Sequence, residues 1–394
     1  MKSSRRILVL TLSFGSGHVR AARAVADELR RQEPTAAVRV VDALEGARLA
    51  FRACYAWPYW LMIRRAPKLW ERFFESRVAR GDEGTAPAWA FRRGCAHVFK
   101  LIEEFRPDTI VACEVAACEL AALARRGGLT SARVVAVITD HEAEPVWVKP
   151  EVNAFAVADE RVCEQLRSWG ARDEAINVCG IPTDAAFNVR HNTKETRRRH
   201  GINDDAPIVL LMCGGMGPAR TDVVAKHLCA SGERVHVVAV AGRDLRALRR
   251  LSRIKAEPPA TLRVLGWTDD VAALMQAASV LVTKPGGLTT AEAALSSLPV
   301  VFFDAIPGPE RRNAARVVEA GAGLLADSPE DAARAALSLL RDEAALMRMS
   351  KRAFELSSAD ATANIARIAL GESTVSEFAD GGAFAQSFAR RMTA

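Results

Sequence analysis

Eleven short apolar runs, each followed by an amphipathic stretch, set the terms for any fold this chain can adopt. Six come first: Ile7–Leu12, Val38–Val41, Thr109–Cys113, Val134–Thr139, Ala154–Val157 and Ile176–Val178. Five follow a polar gap: Ile208–Met212, Val235–Val240, Leu262–Leu265, Val280–Thr283 and Val300–Phe303. Continuous Val/Ile/Leu runs of this length suit strands buried on both faces, as in a parallel sheet covered by helices. Stretches such as Ala21, Ala22, Val25 and Leu29 supply the right-handed crossovers between them.

The gap itself, Val189–Asp205, is polar and charged, and it marks a domain boundary. The division expected is a first domain over 1–188, a linker over 189–205, a second domain over 206–345, and helices with a loose basic tail over 346–394. A chain of 394 residues with 49% hydrophobic and 26% charged residues has ample material for two cores, which excludes wholesale disorder. The fold class is therefore α/β, two doubly wound domains facing across a cleft.

The net charge of +7 is too mild to indicate nucleic acid, although it permits contact with an anionic surface. The eight cysteines are scattered and contain no C-x-x-C, so neither a zinc site nor a disulfide framework is expected, and the thiols read as buried and reduced in a cytoplasmic protein. The basic start Met1–Arg6 leads into a short apolar run and then Gly15-Ser16-Gly17-His18, which reads as a strand and loop and not as a cleaved signal. No run reaches the roughly 18–20 apolar residues needed to span a bilayer.

One segment breaks the alternation. Residues 48–100 hold four of the seven tryptophans, both tyrosines, and eleven Lys/Arg against four Asp/Glu, a surplus equal to the charge of the whole chain. After Pro67, the residues Leu69, Trp70, Phe73, Phe74 and Val78 fall on one helical face, opposite Lys68, Glu71, Arg72 and Glu75. Packing onto the first domain would explain such a helix. The clustering of Trp57, Trp60, Trp70 and Phe73 with Arg64 and Arg65 favours an interfacial surface on anionic lipid.

Four loops carry the chemistry. Gly15 and Gly17 open a helix whose free N–H groups can meet an anion, and His18 beside them is placed to act as a base. A dinucleotide fingerprint begins well here, and Asp42 stands where a ribose-binding acid would, but Arg20 occupies the third glycine position and prevents close helix–strand packing. The strand Val134–Thr139 ends in Asp140, His141 and Glu144, at the carboxyl edge where parallel sheets bind ligands. Gly214, Gly215 and Gly217 form a second glycine turn, and no P-loop signature occurs. The fourth loop, Lys284-Pro285-Gly286-Gly287-Leu288-Thr289, brings two glycines and a helix N-terminus to a phosphate, with Glu292 on the next turn to hold ribose hydroxyls.

Gly15-x-Gly17-His18-Val19, Thr139-Asp140, Gly180-Ile181-Pro182 and Lys284-Pro285-Gly286-Gly287-Leu288-Thr289-x-x-Glu292 together resemble the monogalactosyldiacylglycerol synthase and diacylglycerol glucosyltransferase family. This is glycosyltransferase family 28, and the resemblance runs from about Ile7 to Leu340. It implies a GT-B fold, a UDP-hexose (UDP-glucose or UDP-galactose) in the second domain, and a lipid acceptor, foremost diacylglycerol, in the first. It implies that Gly286, Gly287, Leu288 and Thr289 cradle the diphosphate with Gly214–Gly217, that Glu292 holds the ribose, and that Trp267 and Thr268 flank the uracil. Glu310 and Asn313 fall where the family contacts the hexose, and the 48–100 segment where it docks peripherally on the cytoplasmic membrane.

Two departures stand out. Pro309 replaces a sugar-contacting amide, and Glu144 stands where relatives place a histidine. The reaction implied is inverting transfer to a β-glycoside, with His18, Asp140 or Glu144 as base and no cofactor beyond the co-substrate. No D-x-D in the cleft loops demands a metal. Alternatives are another lipid acceptor such as a polyprenyl carrier, a GT-B sugar-nucleotide epimerase, or a non-catalytic UDP-sugar sensor.

Overall fold

The computed structural model describes residues 4–81, 85–212 and 219–372. The glycine turn at Gly214, Gly215 and Gly217 lies outside the described residues, as does the Arg64 side chain. All eleven expected runs are strands. The first sheet comprises β1 (Arg6–Thr11), β2 (Ala37–Asp42), β3 (Thr109–Ala112), β4 (Arg133–Val137), β5 (Ala154–Val157) and β6 (Ile176–Val178). Its strands are parallel in the order β2-β1-β3-β4-β5-β6.

The second sheet comprises β7 (Ile208–Met212), β8 (His236–Val240), β9 (Thr261–Leu265), β10 (Val280–Thr283), β11 (Val300–Phe302) and β12 (Gly323–Leu325), in the order β12-β11-β10-β7-β8-β9 and again parallel. The twelfth strand escapes notice in the sequence because it is three residues long, starts with glycine, and leaves Leu324 and Leu325 partly exposed at the sheet edge.

In each sheet the chain leaves in opposite directions from two adjacent central strands, β1 and β3 in one, β7 and β10 in the other. A crevice opens at such a reversal beyond the carboxyl ends of the strands. β1 delivers the Phe14–His18 loop and β10 delivers Lys284–Gly287, so the two sheets present their glycine loops to one cleft.

Helix Ser16–Gln32 buries Ala21, Ala22, Val25, Ala26 and Leu29 and ends on Arg30 and Arg31, whose charge suits a helix C-terminus. Helix Val115–Arg126 is capped by the Glu114 side chain, whose carboxyl oxygen accepts from the amides of Ala116 and Ala117 at 2.8 and 3.1 Å.

Three features go beyond the sequence reading. The 189–205 linker contains a helix, Thr193–Arg199, capped by Asn192, which accepts from the Glu195 amide at 3.1 Å. Helix Ala361–Leu370 of the C-terminal segment packs back on the first domain. Its Ile365, Ala366 and Ile368 are buried with Ile7, Val9 and Val135 of the first sheet, and the Thr362 hydroxyl donates to the Thr183 carbonyl at 2.8 Å. Finally, the apolar face of helix Pro67–Arg80 divides in two. Its five apolar positions spread over about 180° of arc at 100° per residue, more than one neighbour covers. Trp70 and Phe74 turn inward, whereas Leu69 and Phe73 remain exposed.

Candidate functional site

His18 is the third residue of helix Ser16–Gln32, and its Nδ1 lies 3.0 Å from the hydroxyl of Thr139, the residue before Asp140. Burial lowers its pKa below the usual 6.5, against the opposing pull of the Asp140 charge and the Cys113 carbonyl. The ring is therefore neutral at neutral pH and able to accept a proton. Asp140 is held from the other domain, its Oδ1 accepting from Asn313 Nδ2 at 2.8 Å.

Asn313 is fully buried and its amide is committed. Besides Asp140, it donates to the Pro285 carbonyl at 3.1 Å and accepts from the His141 amide at 2.8 Å. It was expected on the donor hexose. In this arrangement it joins the two domains, and its polar atoms are already engaged.

Across the cleft, helix Gly287–Leu295 begins after Gly286 with no side-chain cap, leaving its first-turn amides outside the helical ladder and its positive end facing the other domain. Gly287 sits so close to that domain that a Cβ would overlap the Thr139 carbonyl oxygen. Lys284, buried behind the loop, lies 3.5 Å from Glu310, which also accepts from the Ile306 amide at 2.7 Å. Burial raises the Glu310 pKa, and the Lys284 charge opposes it. These groups, with Gly15, Gly17, Leu288, Thr289, Trp267 and Thr268, line a cavity of about 170 Å³. The Arg243 guanidinium lies over the Trp267 ring, 4.3 Å from its centre.

Glu292 is placed otherwise than expected. It is 1% exposed and does not line this cavity; Arg20, which does, pairs with it at 2.7 Å. Burial pushes the Glu292 pKa up to about 7 despite the arginine. Arg20 was noticed in the sequence only as a missing glycine.

The 48–100 segment builds a second, larger cavity of about 490 Å³, walled by Phe14, Tyr55, Tyr59, Trp60, Trp70, Phe73 and Trp147. Trp70 is thus not a surface residue: it is 8% exposed, and its indole donates to the Pro307 carbonyl of the second domain at 3.1 Å. Phe74 lies against Gly308, and Glu71 pairs with Arg311 at 2.5 Å, so one helix of the first domain straps the start of helix Pro309–Glu319, which carries Glu310. Glu144, expected among the catalytic groups, lines this cavity but pairs with Arg77 of the same helix. That pairing anchors the segment and leaves His18 and Asp140 at the junction with Gly287.

Two acidic residues in this region escaped the sequence reading. Glu114 lines the larger cavity and Glu119 is buried nearby, accepting from the Thr85 amide and hydroxyl. Glu114 follows β3 directly, so the rule that singled out Asp140 after β4 applies to it equally. Burial pushes its pKa up to about 8 from the usual 4.5, outweighing its two backbone hydrogen bonds. A carboxyl raised in the fold favours folding most where both states are protonated, and that stability is lost as pH rises from about 4.5 towards 8. Glu114→Gln, whose amide oxygen can keep the helix cap, should match the parent's melting temperature near pH 4.5 and exceed it by a few degrees at pH 8. Calorimetry at the two pH values checks this.

The two cavities share Gly15, Gly17, Gly286, Gly287, Leu288 and Glu310 along their common boundary, and His18 and Asp140 stand on the aromatic side of it. On the outer surface of the segment, Trp57 and Trp89 are each 67% exposed, with Leu49, Leu61, Leu69 and Phe73 also exposed, and Arg65 beside them. Among the described residues, no helix is long and apolar enough to cross a membrane.

Residues 18–183 match the family model for monogalactosyldiacylglycerol (MGDG) synthase, and residues 192–356 that for glycosyl transferases group 1. The chain is 27% identical over 379 residues to the processive diacylglycerol beta-glucosyltransferase of Bacillus subtilis (strain 168), covering 95% of this chain and 97% of that one. It is 24% identical to the protein of the same name from Staphylococcus carnosus (strain TM300), over 90% of this chain and 89% of that one. Among solved structures it resembles Acinetobacter baumannii MurG, with a TM-score of 0.59 at 14% identity over 93% of this chain and 100% of that one. It also resembles Anabaena Alr3699/HepE in complex with UDP-glucose, with a TM-score of 0.56 at 16% identity over 93% of this chain and 98% of that one.

Proposed function

We propose, from the premise that this chain belongs to the MGDG synthase and group 1 glycosyltransferase family and is a GT-B glycosyltransferase, that it moves a hexose from a UDP-sugar to diacylglycerol with inversion. The observation that supports the reading is that two unlike cavities meet along Gly15, Gly17, Gly286 and Gly287, with His18 and Asp140 on the larger one's side of that boundary. The smaller offers a helix N-terminus, a buried lysine and an exposed tryptophan, a set suited to a nucleoside diphosphate. The larger offers aromatic walls suited to acyl chains, together with His18 and Asp140 among its polar groups.

In this mechanism the acceptor hydroxyl lies at His18, whose neutral ring takes the proton as oxygen attacks the anomeric carbon. Asp140 stabilises the imidazolium that forms, and Thr139 orients the ring. The amides at Gly287–Thr289 stabilise the departing diphosphate. Glu310, fixed by Lys284 and the Ile306 amide, faces the hexose. The curated relatives named as diacylglycerol glucosyltransferases favour glucose, and Pro309 marks the place where sugar selection can differ. The test is incubation with UDP-glucose, UDP-galactose and UDP-N-acetylglucosamine, with vesicles holding or lacking diacylglycerol, read by mass spectrometry. A β-hexosyl-diacylglycerol formed only with both substrates is expected; UDP release with no such product, or product only from a polyprenyl lipid, overturns the acceptor.

The exposed Trp57, Leu61, Leu69 and Phe73, set among Arg65, Lys68 and Arg72, form the proposed membrane-docking face. Leu61→Glu with Phe73→Glu should lower co-sedimentation with anionic vesicles by about tenfold or more, because each change removes apolar contact and adds repulsion. Unchanged sedimentation would move the docking face elsewhere.

A further inference from the structure

Arg20 is the N-terminal domain's one cation among the described residues lining the smaller cavity, and it reaches that place through an ion pair with a residue of the other domain. It sits one turn into helix Ser16–Gln32, with Glu292 one turn into helix Gly287–Leu295, so the two helices converge with their positive ends towards the same space. One guanidinium nitrogen lies 2.7 Å from Glu292, while the side chain keeps 33% of its surface exposed. A guanidinium has five N–H donors in a planar fork, so one edge can rest on a carboxylate while another meets a phosphate.

The cavity's other lining cation, Lys284, is occupied by Glu310. Among the described residues lining the cavity, a diphosphate bound at Gly286–Thr289 would therefore have helix amides on one side and, on the other, Arg20 as the cation able to offer further charge-assisted donors. The buried Glu292 carboxylate holds the guanidinium in place by an ion pair; a lysine there would give a point charge without the fork's second edge.

We infer that Arg20 is a donor-site residue contributed by the acceptor domain, its guanidinium anchored on Glu292 and hydrogen-bonded to the diphosphate of the nucleotide sugar. The inference rests on the UDP-sugar reading above and extends it: charge accumulating on the leaving UDP is met from both domains, and donor binding itself draws the domains together.

The experiment compares UDP with uridine by titration calorimetry, because the two ligands differ only in the diphosphate. The readout is the ratio of the uridine Kd to the UDP Kd. In Arg20→Met this ratio should fall by about 10- to 100-fold, the worth of a hydrogen bond to a charged group, with uridine affinity nearly unchanged. Arg20→Met leaves Glu292 buried without its partner, so Arg20→Met/Glu292→Gln serves as a second variant in which no buried charge is stranded. Its ratio should be as low as that of the single variant. A ratio equal to the parent's in either variant overturns the inference, as does a loss shared equally by uridine and UDP, which would mean that Arg20 only neutralises Glu292. Failure of the parent protein to bind UDP at all is a different result, and removes the donor reading itself.

Discussion

Gly287→Ala is expected to reduce glycosyl transfer by at least about 100-fold while leaving each domain folded, because misplacement of reacting groups by about an ångström costs this much. The added methyl carbon has nowhere to go: it would overlap the Thr139 carbonyl oxygen and sit 2.9 Å from an Asp140 carboxylate oxygen. The obstacles are backbone and an already tethered side chain, so a rotamer change cannot relieve them. The two domains must separate locally, and that separation breaks the Asn313 hydrogen bonds to His141 and Asp140, which cross the same seam. The donor loop would keep its own geometry, since Gly286 and Gly287 have ordinary negative φ and the helix that follows tolerates alanine. UDP affinity should fall as well, by no more than the roughly 10- to 100-fold assigned to Arg20, whose contact crosses the same seam, and the melting temperature should change little, because each sheet has its own buried core. A variant that transfers normally would mean that the contact at Gly287 is not required for turnover.

This seam also shows what a sequence can and cannot reveal. The strands were legible because parallel sheets buried on both faces impose continuous apolar runs, and those runs have few other uses. The loops that follow them were legible for a related reason, since strand ends in such folds collect glycines and carboxylates. That Asn313 clamps His141 and Asp140, and that Trp70 reaches Pro307, depends on how the two domains meet. Neither contact leaves a periodic trace, because each joins residues well over a hundred positions apart. Arg20 shows the limit most plainly. Read along the chain it only spoils a glycine pattern, and its partner Glu292 becomes apparent once the two helices are set side by side. The Pro67–Arg80 helix taught the converse lesson: its aromatic arc was correctly located, but an arc that wide has two edges, and the sequence did not say that one would strap the second domain.

His18→Gln should lower kcat by about 10²- to 10⁴-fold, the usual contribution of a positioned general base, with UDP affinity unaltered because His18 stands on the acceptor side of the boundary. Glutamine fills similar space and can still meet the Thr139 hydroxyl, so the loss would report proton acceptance and not collapse of the loop. The parent's pH profile supplies an independent check. Burial lowers the His18 pKa below 6.5, so the ring is neutral and active at neutral pH, and kcat falls only as pH drops through that depressed value and the ring becomes protonated. Asp140 opposes the depression, its negative charge favouring the protonated ring. Asp140→Asn should consequently shift the acid limb to still lower pH, and at the same time reduce the plateau rate, because the imidazolium formed during attack loses its stabilising partner. An acid limb that survives in His18→Gln would assign it to another group, with Glu310, whose pKa is raised by burial, the first to examine. A plateau unaffected by either substitution would exclude this pair from proton transfer altogether.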